Sequence, residues 1–423
     1  MSSHAWKSTA SALAMVTALV AAGTATGAQS SFETEPVLSA KDLVPAQLLK
    51  GTRFTVDDRV PVKGFVARFA IKSDFGPFEA RGIRMLHVRV REIHALGQLD
   101  EMSKTKEFAA AAGRAVARPV TATAHMLVHP VDTVTGIPDG VGRLFDRVKL
   151  GGTKVAEAAS ASDKGGGEKA ADVSKRVGGI SADALGYEKE RRDLAKGLGV
   201  DPYTSNPVLA KKLDDMAWVA FSGRLGIQAA VSVFVPYSMA MSAVSITDST
   251  VYDTPGADLI NQAQAAFAAT GASAVHVAAL MNNGQYSLSV LTALARGLQR
   301  LKGVNGLASA VEFAAGAKTQ DETRLVAAAV NMLARHHEGT ERIAQVTAPG
   351  PIVGQTVGGT LVVPAPVDYA AWTERAGRFA QREDLKAAAR NVWLSGRMSD
   401  RARKEFARRN WKVDESFTIA AER

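Results

Sequence analysis

Residues 225–247 carry no charge, an uninterrupted run bounded by Arg224 and Asp248. Few features restrict a fold more, because such a run either crosses a bilayer or is buried in a protein core. About 20 apolar residues suffice for a span, so length alone fits both. Composition separates them. Gln228, Ser232, Ser238, Ser242 and Ser245 are polar, and Pro236 interrupts the middle. At about 100° per residue the five polar side chains fall within an arc of about 140°. Neighbouring helices or water can satisfy such a stripe, whereas lipid cannot. The expectation is two buried core helices that meet at Pro236, with no transmembrane span after signal cleavage. A membrane-inserting protein that uses residues 225–247 is the alternative.

The first 28 residues have the parts of a secretory signal: Lys7, an apolar run over residues 10–22, and the small residues of "GTATGA". Cleavage near Ala28 is expected, which makes the protein periplasmic or secreted. The chain has no Cys, so it has no thiol nucleophile, thiolate metal site or disulfide. Such an exported protein must be held together by its core, and 423 residues are enough for two domains.

The periodicities give a mainly helical α+β fold with a small N-terminal antiparallel sheet. Over 52–80 the chain alternates, with Phe65, Ala67, Phe69 and Ile71 on one side and Arg68 and Lys72 on the other. The period then changes: Leu86, Val90, Ile93 and Leu96 define an amphipathic helix over 83–101. Ser103 is read as the cap of a second helix that runs toward His129. Residues 29–150 form the expected N-terminal α+β domain. Residues 151–179, which include "SDKGGGEKAAD", form a flexible low-complexity linker. Residues 180–423 form a mainly helical domain. Its punctuation is explicit: Asn206-Pro207, Thr254-Pro255, Ser287, Thr319 with Glu322, and Ser399 mark helix starts. The Pro-Gly and Gly-Gly breaks in 343–364 predict a small β-meander, followed by basic terminal helices.

Candidate chemistry is sparse. His125 and His129 are four apart and share a helix face, as metal-ligating histidines do, and Asp132 is near. No glutamate follows His125 in the H-E-x-x-H manner and no third ligand is evident, so no metal and no cofactor are expected. His336 and His337 cluster with Glu338 and Glu341 at a helix end, but adjacent residues on a helix point about 100° apart. Ser103 and Lys106 have the S-x-x-K spacing of penicillin-binding enzymes, yet the chain lacks the K-T-G or K-S-G that those enzymes need. A nucleophile elbow, a Walker loop and a dinucleotide fingerprint are also missing. "GYEKERRDLAKGLGVDPYTSNPVLAKKLDDMAW" is the most distinctive stretch. It reads as helix, tight turn and helix, with Asp201 and Tyr203 as possible binding groups.

The net charge is +9, and most of the excess lies between Glu374 and Lys412. Arg401, Lys404 and Arg408 share one face of the last helix at spacings of three and four. Arginine offers a bidentate fork to phosphate and carboxylate. In an exported protein this face suits an anionic envelope component, lipopolysaccharide or an acidic glycan, or another envelope protein, and not nucleic acid. The segments "GVDPYTSNPVL", "NNGQYSLSVLTAL", "PAPVDYAAWT" and "WLSGRMSDRARKEFARRNWKV" resemble uncharacterised exported proteobacterial proteins. The resemblance implies export and a two-part architecture and carries no activity with it. The expected function is non-catalytic binding or scaffolding in the cell envelope. A periplasmic hydrolase acting on envelope material is the second reading.

Overall fold

The computed structural model describes residues 31–115, 182–223, 249–415 and 417. The expected signal peptide, the linker at 151–179, the uncharged run at 225–247, and His125 and His129 lie outside the described residues.

Alternation builds the first sheet from β1 (Val37–Ser39), β2 (Lys50–Gly51), β3 (Phe54–Val56), β4 (Arg59–Lys63), β5 (Val66–Ser73) and β6 (Gly76–Arg81). All its pairings are antiparallel. β5 is the spine: β6 lies along one side, and β4 and β3 share the other. β1 extends the sheet beyond β4, and β2 extends it beyond β3. Phe65, Ala67, Phe69 and Ile71 are all buried, as a period of two requires. Phe65 itself takes a left-handed backbone, φ 72°, directly after Gly64. That conformation is costly for a bulky residue. It is held by a hydrophobic side chain in the core and by a carbonyl that accepts from Asp368 N and Tyr369 N.

A short helix α1 (Ala40–Leu43) follows β1, and α2 (Ile83–Ser103) follows the sheet. α2 uses two apolar faces. Leu86, Val90 and Ile93 close the sheet. Further along, Ala95, Leu96, Leu99 and Met102 pack with helices from beyond residue 180. α3 (Lys106–Ala115) joins the same group. Its cap differs from the sequence reading. Ser103 ends α2 and donates to Asp100 O, while Thr105 Oγ1 accepts from Phe108 N. The turn between the helices places Thr105, not Ser103, three residues before a free amide.

α4 (Ala182–Leu198) and α5 (Pro207–Gly223) complete that core, which is therefore shared by residues on both sides of 151–179. The helical group continues with α6 (Thr250–Asp253), α7 (Gly256–Ala268), α8 (Ala274–Met281), α9 (Leu288–Arg300), α10 (Leu307–Ala315) and α11 (Gln320–Gly339). Ser287 caps α9, and Thr319 caps α11 by accepting from Glu322 N. Glu322 turns back to Lys318 N at 2.5 Å, so the reciprocal pair predicted from the sequence forms one residue further out. Thr254 does not cap α7. Glu188 of α4 takes the Gly256 amide instead, at 2.9 Å.

The meander appears as β7 (Ile343–Thr347), β8 (Val353–Thr356) and β9 (Leu361–Ala365), antiparallel throughout. It is larger than the sequence indicated. β10 (Tyr369–Ala370), α12 (Glu374–Ala380), β11 (Arg390–Leu394), β12 (Arg397–Met398), α13 (Asp400–Arg408) and β13 (Lys412–Asp414) follow. β11 pairs parallel with β9, and β13 parallel with β11, giving a five-stranded mixed sheet. Both faces of its central strands β9 and β11 are covered. Val362 and Trp393 face the α7–α11 core, while Val363, Val392 and Leu394 face α12 and α13. Strands covered on both sides are apolar without alternation, which hides "NVWL" from a search for period two. The chain is mainly helical α+β, as the sequence pattern predicts.

Candidate functional site

The densest polar cluster is centred on the turn at 199–206 that the sequence singled out. Gly199 supplies the left-handed conformation that ends α4. Asp201 Oδ1 accepts from Tyr203 N at 2.8 Å and from Ser289 Oγ of α9 at 2.5 Å. Burial pushes the Asp201 carboxyl above its ordinary range, and these two donors oppose that shift. Asn206 Oδ1 accepts from Val208 N and Leu209 N and so caps α5.

Buried charges hold this turn from below. Glu92 of α2 is 1% exposed. It accepts from Thr204 Oγ1, from Asn206 Nδ2 at 3.0 Å, and from Arg89 Nη1 at 2.5 Å. Arg191 of α4, also 1% exposed, donates to Pro202 O and, at 2.6 Å, to Asp214 of α5. Tyr187 donates to the same Asp214 oxygen. Glu188 Oε1 gathers Tyr203 OH, Gly256 N and the Arg192 guanidinium. Burial and Glu188 together hold the Tyr203 phenol protonated. A buried ion is stable only when its remaining hydrogen-bonding capacity is also met; Glu92 and Arg191 have several such partners, while Arg192 Nη1 rests on its ion pair with Glu188. Asp201 and Tyr203 therefore act first as internal fasteners.

The upper edge of the cluster is more open. Arg89 Nη2 and Arg324 Nη2, from α2 and α11, both point at Ser205 Oγ, at 3.4 and 2.8 Å. Arg324 also reaches Gln320 Oε1 and Asp321, and Asp321 in turn takes Arg81 at 3.3 Å.

The histidines nominated from the sequence are brought into packing roles. His336 lies against the Trp393 ring, 4.3 Å between centroids. His337 Nδ1 accepts from Ile343 N at 3.0 Å, and Arg342 lies 3.0 Å from Nε2. Burial lowers the proton affinity of both rings, and Arg342 lowers that of His337 further. Among the described residues no group of three or more His, Asp or Glu side chains is placed to hold a metal ion. No described helix is long and apolar enough to cross a membrane.

Arg401, Lys404 and Arg408 share a face of α13, opposite the buried Ala402 and Phe406. The neighbouring basic residues are matched: Arg403 bridges Asp400 and Glu415, and Arg409 holds Glu405 while lying over Trp372. Arg408 shares Glu405 with Arg409. Arg401 donates to Ser31 O, and Lys404 is exposed.

The sequence reading missed Glu92, Arg191 and Arg324. One signal for Glu92 was present: it falls in register with Leu96 and Leu99 on the second apolar face of α2. No family model, curated protein or solved structure matches the chain.

Proposed function

We propose that the protein is a non-catalytic binding or scaffold protein of the cell envelope, which meets an anionic component through α13. The observation that carries this reading is the charge surplus on that helix. Glu405 is one carboxylate set against two guanidiniums, Arg408 and Arg409, and the Arg408 side chain remains 72% exposed. Arg401 and Lys404 continue the same face toward the start of the helix. Phosphate or carboxylate groups of lipopolysaccharide or an acidic glycan fit such a face, because arginine can engage either with two parallel bonds. Contact through exposed charges is screened over about 8 Å at physiological salt, so binding should weaken steeply as salt rises.

The test compares wild type with R401E/K404E/R408E on anionic and neutral vesicles. Binding of wild type to the anionic surface alone, lost in the triple variant and in high salt, is expected. Equal behaviour of the two proteins on both surfaces would refute this reading.

A further inference from the structure

We infer that the solvent face of the first sheet is a second contact surface, on residues distinct from α13, that lies against an anionic lipid bilayer. The strand register defines this face. Residues directly opposite one another in a sheet share a side. The pairs Lys50–Thr55, Thr55–Lys72, Lys63–Val66 and Arg68–Arg81 therefore put five cations on one side. Arg59 lies four residues before Lys63 on β4 and joins them. The opposite side carries the buried Phe54, Val60, Ala67, Phe69 and Ile71.

Charge is sorted across the sheet. Residues 35–81 hold eight Lys or Arg and six Asp or Glu, but Glu79 is the one carboxylate within the strands. It holds Arg81 at 3.2 Å and Arg68 at 3.9 Å. Glu35 reaches Lys63 at 3.6 Å, and Asp321 reaches Arg81 at 3.3 Å. At the strand ends Asp57 accepts from Arg59 N, Asp58 accepts from Ser39 Oγ, and Asp74 pairs with Arg53. Among the described residues, the exposed side chains of Lys50, Arg59 and Lys72 have no carboxylate within 4.0 Å. These three stand on separate strands, and neighbouring strands are about 4.8 Å apart. Mobile lipid headgroups can meet each cation singly, whereas a rigid ligand must match their spacing. The face carries no aromatic side chain, because Phe54, Phe69 and Phe78 alternate to the other side. Single-stranded nucleic acid is held on sheets by aromatic stacking, so it fits this face poorly. The choice of an envelope partner rests on the function proposed above; the residues do not.

The experiment measures co-sedimentation of the full chain, at low salt, with vesicles of phosphatidylglycerol in phosphatidylcholine and with phosphatidylcholine alone. A basic residue near an anionic surface is worth about fivefold in binding, so K50Q/R59Q/K72Q should bind the anionic vesicles about a hundredfold more weakly than wild type. K189Q/K196Q/K211Q removes the same charge from lysines that already have carboxylate partners, and should bind nearly as wild type does. Unchanged binding by K50Q/R59Q/K72Q overturns the inference, whatever R401E/K404E/R408E does. So does equal loss in the two glutamine variants, which would make net charge alone responsible. Wild type that ignores the anionic vesicles, or that prefers a single-stranded oligonucleotide to them, overturns it as well. Loss in K50Q/R59Q/K72Q beside unchanged binding by R401E/K404E/R408E would support the sheet face and refute the α13 reading.

Discussion

Glu33 and Ser399 meet across 366 residues of chain, with the Ser399 hydroxyl donating to Glu33 Oε2 at 2.6 Å. The same oxygen accepts from Trp372 N at 2.5 Å, and Glu33 N returns a bond to Trp372 O. Phe32 stands 6.3 Å from the Trp372 ring and fills the space beside Gly377, where a Cβ would collide with it. Residues 31–33 are thus part of the C-terminal core, while residues 37–39 belong to the first sheet. Ser399 also caps α13, so Glu33 steadies the start of the basic helix.

Replacing Glu33 tests this closure. Glu33→Ala leaves the Trp372 amide and the Ser399 hydroxyl without their acceptor, which should cost about 1–3 kcal/mol. Glu33→Gln keeps an oxygen in place and should cost less. Urea unfolding would show a lower midpoint with an unchanged slope. A Glu33→Ala protein as stable as wild type would mean that these residues are not part of the core.

Asp368 makes a second long-range tie. Its carboxylate accepts from Ala67 N at 2.9 Å and from Ile83 N at 3.0 Å, at the first turn of α2. The residue keeps some surface, but its carboxyl group is enclosed, and burial pushes it up to about 6 against the pull of the two amides and Arg84. The folded value lies above the unfolded one. The associated stability is therefore full below about pH 3.8 and is lost as pH rises through about 6. Asp368→Asn does not titrate, so the stability gap between the two proteins should move by about 2–3 kcal/mol in favour of Asn from pH 4 to pH 7. Denaturation at several pH values measures that gap. A gap constant with pH would refute the shift.

Arg191 is, with Glu92, one of the two most deeply buried charges of the polar cluster. Truncation to Met keeps much of its volume but strips Asp214 of an ion partner and Pro202 O of a donor. Removing one side of a buried pair costs about 3–5 kcal/mol. Arg191→Met should lose that much, and the double variant with Asp214→Asn should lose less than the two single losses combined. Additive losses would mean that the two groups are not coupled.

Much of the fold was legible in the sequence because its signals are local. Alternation over 65–71, the capping residues Ser287, Thr319 and Ser399, and the glycine breaks of the meander each act within a few residues. β11 and β13 escaped for a physical reason. β11 is covered on both faces and so has no period of two, β13 is a three-residue edge strand, and the parallel partner of each lies across α12 or α13. The polar cluster escaped for a related reason. Arg191 and Arg324 look in sequence like ordinary charges on helix surfaces, Glu92 alone falls in register with apolar neighbours, and only the convergence of three distant segments brings them into one cluster.

The histidines offer a pH test that separates packing from catalysis. Burial favours neutral His336 and His337, so both take up a proton less readily in the folded chain than in the unfolded one. For a base whose folded value is depressed, the stability is fully present above the unfolded value near 6.5 and is lost as pH falls through the folded value. The direction is opposite to that of Asp368, so each must be read from its own variant. His337→Ala leaves Ile343 N without its acceptor at the start of β7, which should cost about 1–3 kcal/mol at pH 8. The cost should shrink toward pH 5, where the unfolded chain takes up a proton at His337 more readily than the folded one. His336→Ala should instead change the fluorescence of Trp393, its ring neighbour. If a panel of peptidoglycan, ester and phosphoester substrates revealed turnover that either change abolished while stability stayed intact, these histidines would be catalytic groups. Loss of stability without any such turnover is the expected result.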